Sequence, residues 1–336
     1  MYRTVRVKMG KNIGKWILVF TLLLCVAGLA GIEKVNDGVV IYSSLEEFRN
    51  EKLREMLEEN LPDINVTIQY ISTNKGAAKI KLEKSRADAD ILLAFDVQSM
   101  ELIKDELNDL KRYETRHYLD GLNPDHNKYR VWERFAGAII VNKPLLNKLE
   151  LPIPERYEDL TNPLYRDLIA MPDPKSSGTG YFFLKHLANE WGEERAFDYF
   201  DKLYPNIKQF TTSGSGPIKL LLQNEIAIGM GMTFQAVGEI NKGADLQIIY
   251  PPEGSPYSLS GIAMIQGRAD RPEVAQVFDF LYSNFTFYDK ENYSPELIFK
   301  NQQIKVPNYP KNIKYGNMNG LKSAAIKQDL LRKWKY

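Results

Sequence analysis

The chain has 336 residues, 44% hydrophobic and 26% charged, with a formal net charge of +1. That balance excludes a protein built to coat nucleic acid or an anionic membrane. Its single cysteine, Cys25, excludes an internal disulfide, so stability has to come from packing.

In chain order, Arg3, Arg6, Lys8, Lys11 and Lys15 precede an apolar run from Trp16 to Ile32, the layout of a secretory signal. Residues 1–32 are read as a signal peptide, with small Gly28 and Ala30 allowing cleavage before Gly31. An N-terminal anchor is the alternative, because the run is at the lower edge of a membrane-spanning length. Cys25 stands where a lipid could attach, but Leu24 precedes it where that signal wants a small residue. The protein is expected to be exported, to the periplasm or the outer face of the cell membrane.

The rest alternates short β-branched runs with longer amphipathic ones, which predicts an α/β fold with largely parallel sheets. Strands are expected at Val39–Tyr42, Ile64–Ile71 and Asp90–Phe95, with helices at Ser44–Leu61 and Gly76–Lys84 between them. A charged, aromatic loop region, Lys111–Arg130, leads to a long strand at Phe135–Asn142. Further strands are expected at Leu168–Met171, Ile207–Phe210, Ile226–Met230 and Leu246–Tyr250, with helices at Thr179–Trp191, Glu193–Leu203 and Pro217–Asn224. After the stiff turn Pro251-Pro252-Glu253-Gly254 come a strand at Gly261–Ile265 and a helix at Pro272–Ser283. The expected organisation is a first lobe opening with 38–138, a second lobe at 139–250, and a return to the first lobe with C-terminal helices at 251–336. Crossings near Ile139–Asn142 and Tyr250–Gly254 would make a hinge, and a hinge makes a cleft.

Four polar, small-residue turns fall where a strand ends and a helix begins. They are Ser43-Ser44, Ser72-Thr73-Asn74, Ser176-Ser177-Gly178-Thr179-Gly180 and Ser213-Gly214-Ser215-Gly216. The first turn of a helix exposes unpaired N–H groups at the positive end of its dipole, and so favours anions. Serine and threonine are also the preferred N-caps, and Ser44 with Glu47 has capping-box spacing, so capping alone is the competing reading at each turn. A site gains support from the position of all four turns at carboxyl ends of strands, where open α/β sheets bind ligands.

The stretches Met171–Tyr181, Trp191–Glu194 and Thr212–Pro217 carry a resemblance, supported by Ile41–Glu46, Ala89–Leu92, Ala138–Asn142 and Tyr250–Gly254. From about Val39 to about Ser283 the chain resembles the solute-binding proteins of ferric-iron and 2-aminoethylphosphonate ABC importers. The resemblance implies a two-lobed periplasmic-binding-protein-like fold (type II) with its ligand cleft between the lobes. It also implies a monomeric receptor without a cofactor that captures a small anion, of phosphonate or organophosphate type, for a membrane permease. Ser176, Ser177 and Thr179 would take one side of the oxyanion and Ser213 and Ser215 another, with Ser43, Ser44, Ser72 and Thr73 closing from the first lobe. These hydroxyls are expected to matter ahead of any Arg or Lys. For an aminophosphonate, Tyr257–Ser260 offers no carboxylate to the ammonium; Asp96 and Glu133 are the substitutes, with Arg134 beside Glu133.

Ferric iron or an iron complex is the alternative ligand. The iron carriers use adjacent tyrosines after the strand corresponding to Ile226–Met230, and this chain has Met232-Thr233-Phe234-Gln235 there. No metal site is therefore expected. An enzyme is the rival class: Ser72-Thr-Asn-Lys75 fits the S-x-x-K pattern of serine acyl-enzymes, but its companion motifs are missing. No G-x-S-x-G elbow occurs, Lys175-Ser176 lacks P-loop spacing, and His117, His126 and His186 lack metal-ligand spacing. A serine hydrolase is the less favoured reading, and no catalytic residue is assigned.

Overall fold

The computed structural model describes residues 38–336, so the expectations for 1–32, Cys25 included, lie outside the described residues. In chain order the elements are β1 (Val39–Ser43), α1 (Glu47–Asn60), β2 (Val66–Tyr70), α2 (Thr73–Glu83), β3 (Ile91–Asp96), α3 (Val97–Leu102) and β4 (Arg130–Asn142). Next come α4 (Lys143–Lys148), β5 (Ile169–Pro172), α5 (Gly178–Trp191), α6 (Glu193–Leu203), β6 (Ile207–Thr211), α7 (Gly216–Leu222), β7 (Ile228–Met232), α8 (Thr233–Asn241) and β8 (Leu246–Ile249). The chain closes with β9 (Tyr257–Met264), α9 (Pro272–Phe280), α10 (Thr286–Asn292) and α11 (Ala324–Lys333).

The strands form one continuous sheet in the order β2-β1-β3-β9-β4-β7-β5-β6, with β8 also on β4. Within each lobe the βα units make parallel pairs, β1 with β2 and β3, β5 with β6 and β7. Period-two alternation sends side chains to opposite faces. Val39, Ile41, Ile91 and Leu93 meet Val277 and Phe278 of α9 on one face, while Tyr42 and Leu92 join the core on the other. In β4, Ala138 and Ile140 pack with Ile218 and Leu221 of α7, and Ile139 and Val141 turn the other way. Among the described residues no helix is long and apolar enough to cross a membrane.

The two lobes share β4. Residues Arg130–Ala136 pair antiparallel with β9, and Gly137–Val141 pair with β7. The change of partner thus lies between Ala136 and Gly137, within the long strand expected at Phe135–Asn142. Further on, Ile139–Val141 pair with both β7 and β8. A second connection runs through Gly254 into β9, and a third through Tyr315, which bridges Ser255 in parallel. Gly254 has φ +115°, and a Cβ there would lie 2.8 Å from the Gly316 Cα, so both conformation and contact require glycine. Beyond that bridge, the last residues of the chain land on the second lobe. Trp334 packs edge-on to Phe200 and Phe210, and Tyr336 stacks on Tyr204.

Glu296 ties these connections together. Its Oε1 accepts from the Ala136 amide (2.6 Å) and the Tyr309 hydroxyl (2.8 Å), and its Oε2 from the Tyr315 hydroxyl (3.1 Å). Burial pushes its carboxyl up to about 7, although the Ala136 amide, Tyr309, Arg134 and Tyr315 all pull it down. The folded chain therefore keeps this proton at a pH where an unfolded glutamate, with its ordinary value of 4.5, has lost it. Its contribution to stability is complete below that ordinary value and is lost as pH rises through about 7, by roughly 3 kcal/mol. Urea unfolding at about pH 5 and about pH 8 should show this fall in the wild type and a flatter profile in Glu296→Gln; equal profiles would contradict it.

Candidate functional site

The carboxyl ends of β1, β2 and β3 in one lobe and of β5, β6 and β7 in the other face a common cleft of about 350 Å³. The first lobe brings Ser44, Ser72, Thr73 and Asn74 to it, and the second brings Ser176, Ser177, Gly178, Thr179, Thr212, Ser213 and Gly214. Seven of the nine expected site residues line it. Ser43 does not: its side chain is fully buried, and its hydroxyl donates to Asn50 Oδ1 (2.7 Å) and accepts from the Leu45 amide (3.2 Å). Ser215 lies one residue beyond the lining, its hydroxyl 3.2 Å from that of Ser213.

The competing reading, that these hydroxyls only cap helices, is not what the geometry shows. The helix after β1 begins at Glu47 with Glu46 at its N-cap, so the Ser44–Glu47 capping box does not form. The Ser44 hydroxyl donates to the Ile71 carbonyl (2.7 Å) and accepts from Thr73 Oγ1 (3.2 Å), joining the first two turns. Ser72, Ser177 and Ser215 occupy N-cap positions, yet none makes a side-chain cap bond. Ser177 and Thr179 are 7% and 5% exposed, and their hydroxyls have no partner among the described residues. A Cβ at Gly214 would sit 2.2 Å from Thr179 Oγ1, so only glycine lets the β6–α7 turn close against the start of α5. Two turns distant in sequence thereby meet and line the same cleft.

At its lobe-one end the cleft meets a buried charge network. The Arg49 guanidinium donates to both Asp289 oxygens (2.8 and 2.7 Å), to Glu133 Oε2 (2.7 Å) and to Glu46 Oε2 (3.0 Å). Lys290 adds a bond to Asp289 (2.6 Å), and Ser260 donates to Glu133 Oε1 (3.0 Å). Burial works against charge on both Arg49 and Asp289, but their mutual attraction outweighs it. The guanidinium is held well above its ordinary range and the carboxyl below its own. Asp96 also lines the cleft and caps α3, accepting from the Ser99 amide (2.9 Å) and hydroxyl (3.0 Å).

Several lining residues were not foreseen: Glu46, Arg49, Gln98, Thr212, Ser258, Ser260 and Lys327. Thr212 directly precedes the Ser213–Gly216 turn, and Ser258 and Ser260 belong to the Tyr257–Ser260 segment, so a sequence signal stands beside each. The i,i+3 spacing to Glu46 is the one local sign of Arg49, whose other partners Glu133 and Asp289 are 84 and 240 positions away. His186 is fully buried against Gly316, and burial lowers its pKa. Among the described residues no group of three or more His, Cys, Asp or Glu is placed to hold a metal ion.

Known structures share this architecture. AfuA, the periplasmic binding protein of Actinobacillus pleuropneumoniae solved with exogenous fructose-6-phosphate bound, superposes with TM-score 0.75 at 24% identity, covering 88% of this chain and 97% of its own. The periplasmic binding protein P5PA gives 0.73 at 23% identity, with coverages of 89% and 98%. The apo ferric ion-binding protein A of Pasteurella haemolytica gives 0.72 at 15%, with coverages of 88% and 96%. At these identities the likeness establishes the two-lobed α/β periplasmic-binding-protein fold. An uncharacterized protein of Haemophilus influenzae is 29% identical over 263 residues, 74% of each chain. The model of the bacterial extracellular solute-binding proteins, which are binding proteins rather than enzymes, matches residues 89–310, and the chain belongs to that family.

Proposed function

We propose that this protein is the receptor of an ABC importer that closes on a small phosphonate or phosphate ester and delivers it to a membrane permease. The observation that carries this reading is the meeting of the Ser177–Thr179 and Thr212–Gly214 turns, with hydroxyls free of capping bonds, across one cleft from Ser44, Ser72 and Thr73. Such turns hold a tetrahedral oxyanion through helix N–H groups and charge-assisted hydroxyl bonds. A volume of about 350 Å³ suits a small solute. AfuA, with its bound sugar phosphate, is a relative in fold whose ligand has the same oxyanion. Glu133 and Asp96 supply acceptors for hydroxyl or ammonium groups on the rest of the solute. Ferric iron prefers phenolate, carboxylate or imidazole donors, whereas the lining offers a single tyrosine, Tyr70, and no histidine.

The connections at Ala136–Gly137, Gly254–Tyr257 and Tyr315–Gly316 act as the hinge of a monomer that works outside the cell membrane. A thermal-shift panel of phosphonates, phosphate esters and ferric citrate tests the ligand class. At about a hundred times its dissociation constant, a true ligand adds roughly 2.7 kcal/mol of stability. A shift with phosphonates or phosphate esters is the expected result; a shift with ferric citrate alone, or turnover of an activated ester, would overturn it.

A further inference from the structure

We infer that Lys327, carried into the cleft by the C-terminal strap, is the cation that faces the bound anion. This rests on the reading of the cleft as an oxyanion site. Two cationic side chains line it, Arg49 and Lys327. They differ in what already surrounds them. Three carboxylates engage the Arg49 guanidinium, and its charge is spent within the protein. Lys327 pairs with no carboxylate among the described residues. Its Nζ lies 3.0 Å from the neutral Gln98 Oε1 and 5.1 Å from the centroid of the Tyr181 ring. An amide oxygen and a ring face orient an ammonium without cancelling its charge, and Nζ has three donors to place.

The position of Lys327 is as informative as its charge. Gln98 belongs to α3 of the first lobe and Tyr181 to α5 of the second, so the ammonium stands where the lobes meet. The strap is fastened on both sides. Gln98 Nε2 donates to the Leu321 carbonyl (2.6 Å) and Lys322 Nζ to the Asn123 carbonyl (3.2 Å) on the first lobe. On the second, Asn189 Nδ2 donates to the Asn317 and Asn319 carbonyls (3.0 Å each), and Lys335 pairs with Asp201 (2.7 Å). The chain's last turns thus fix one cation at the mouth of a cleft whose walls supply hydroxyls.

The test titrates inorganic phosphate and methylphosphonate into the full protein, its Lys327→Gln variant and its Lys327→Arg variant, at several ionic strengths. Losing one charge-assisted contact should weaken binding about 10- to 100-fold in K327Q. Its affinity should also fall less steeply with added salt than that of the wild type, since screening then has one attraction fewer to act on. K327R should stay within a few-fold of wild type. Because Lys327 is only half-buried and makes no ion pair, the ligand-free unfolding midpoint should hold in both variants. Equal affinities and equal salt dependence in K327Q and wild type would overturn this inference while leaving the oxyanion reading intact. Failure of the wild type to bind either probe would remove the oxyanion reading, and this inference with it.

Discussion

Replacing Ser177 and Thr179 together with alanine is expected to weaken binding of the proposed oxyanion by about 3–6 kcal/mol, since on that reading each hydroxyl would make a charge-assisted hydrogen bond worth about 1.5–3 kcal/mol. The fold should scarcely notice. Ser177 sits at the N-cap of α5 without a side-chain cap bond, so its removal forfeits no cap. Thr179 loses contact with Gly214, which costs a small cavity. Calorimetric titration beside urea unfolding separates the two effects: affinity should collapse while the unfolding free energy changes by less than about 1 kcal/mol. Full-strength binding by the double variant would show that the anion sits elsewhere.

Arg49→Met should have the opposite profile, with stability as its first casualty. The guanidinium is 3% exposed and holds Asp289 and Glu133, themselves 0% and 8% exposed. Removing it strands buried carboxylates, a change that typically costs about 3–5 kcal/mol. Lys290 still contacts Asp289, so Glu133 bears most of the loss. Protonation relieves a stranded carboxylate, so the deficit should shrink as pH falls toward the acid range. Adding Glu133→Gln should recover part of it, the mark of two residues in one network. A loss below about 1 kcal/mol at neutral pH would mean that the network contributes little.

The strands and helices were legible because they obey simple periods. The β1-α1-β2-α2-β3 opening and the α5–α6 pair follow from alternating and helical spacing, and their boundaries fall within a few residues of the expected ones. The serine turns were legible because each is a run of small polar residues between a strand and a helix, after buried strands at β1 and β5 and after half-exposed ones at β2 and β6. Long-range geometry was not. Strand β4 starts at Arg130, inside a stretch dense in charge, because Arg130 is buried by bonds to the carbonyls of Tyr113, Tyr129 and Leu110. Strand β9 starts at Tyr257 because it borrows β4 as a partner, and no local pattern announces that pairing. Helix α8 went unread because Thr233–Asn241 keeps only Thr233, Ala236 and Val237 buried, a weak stripe. The landing of Trp334 and Tyr336 on Phe200, Phe210 and Tyr204 joins residues more than a hundred positions apart, so Lys327 had no sequence signal as a cleft residue.

The most direct test of a receptor for phosphonates or phosphate esters is calorimetry that compares a phosphorylated solute with its dephosphorylated parent on the same purified protein. Saturable binding of the phosphorylated member at one site per chain, with the parent weaker by at least about 3 kcal/mol, is the predicted result. Equal affinity for the two members of the pair, or binding of ferric ion with no response to any phosphorylated solute, would contradict it.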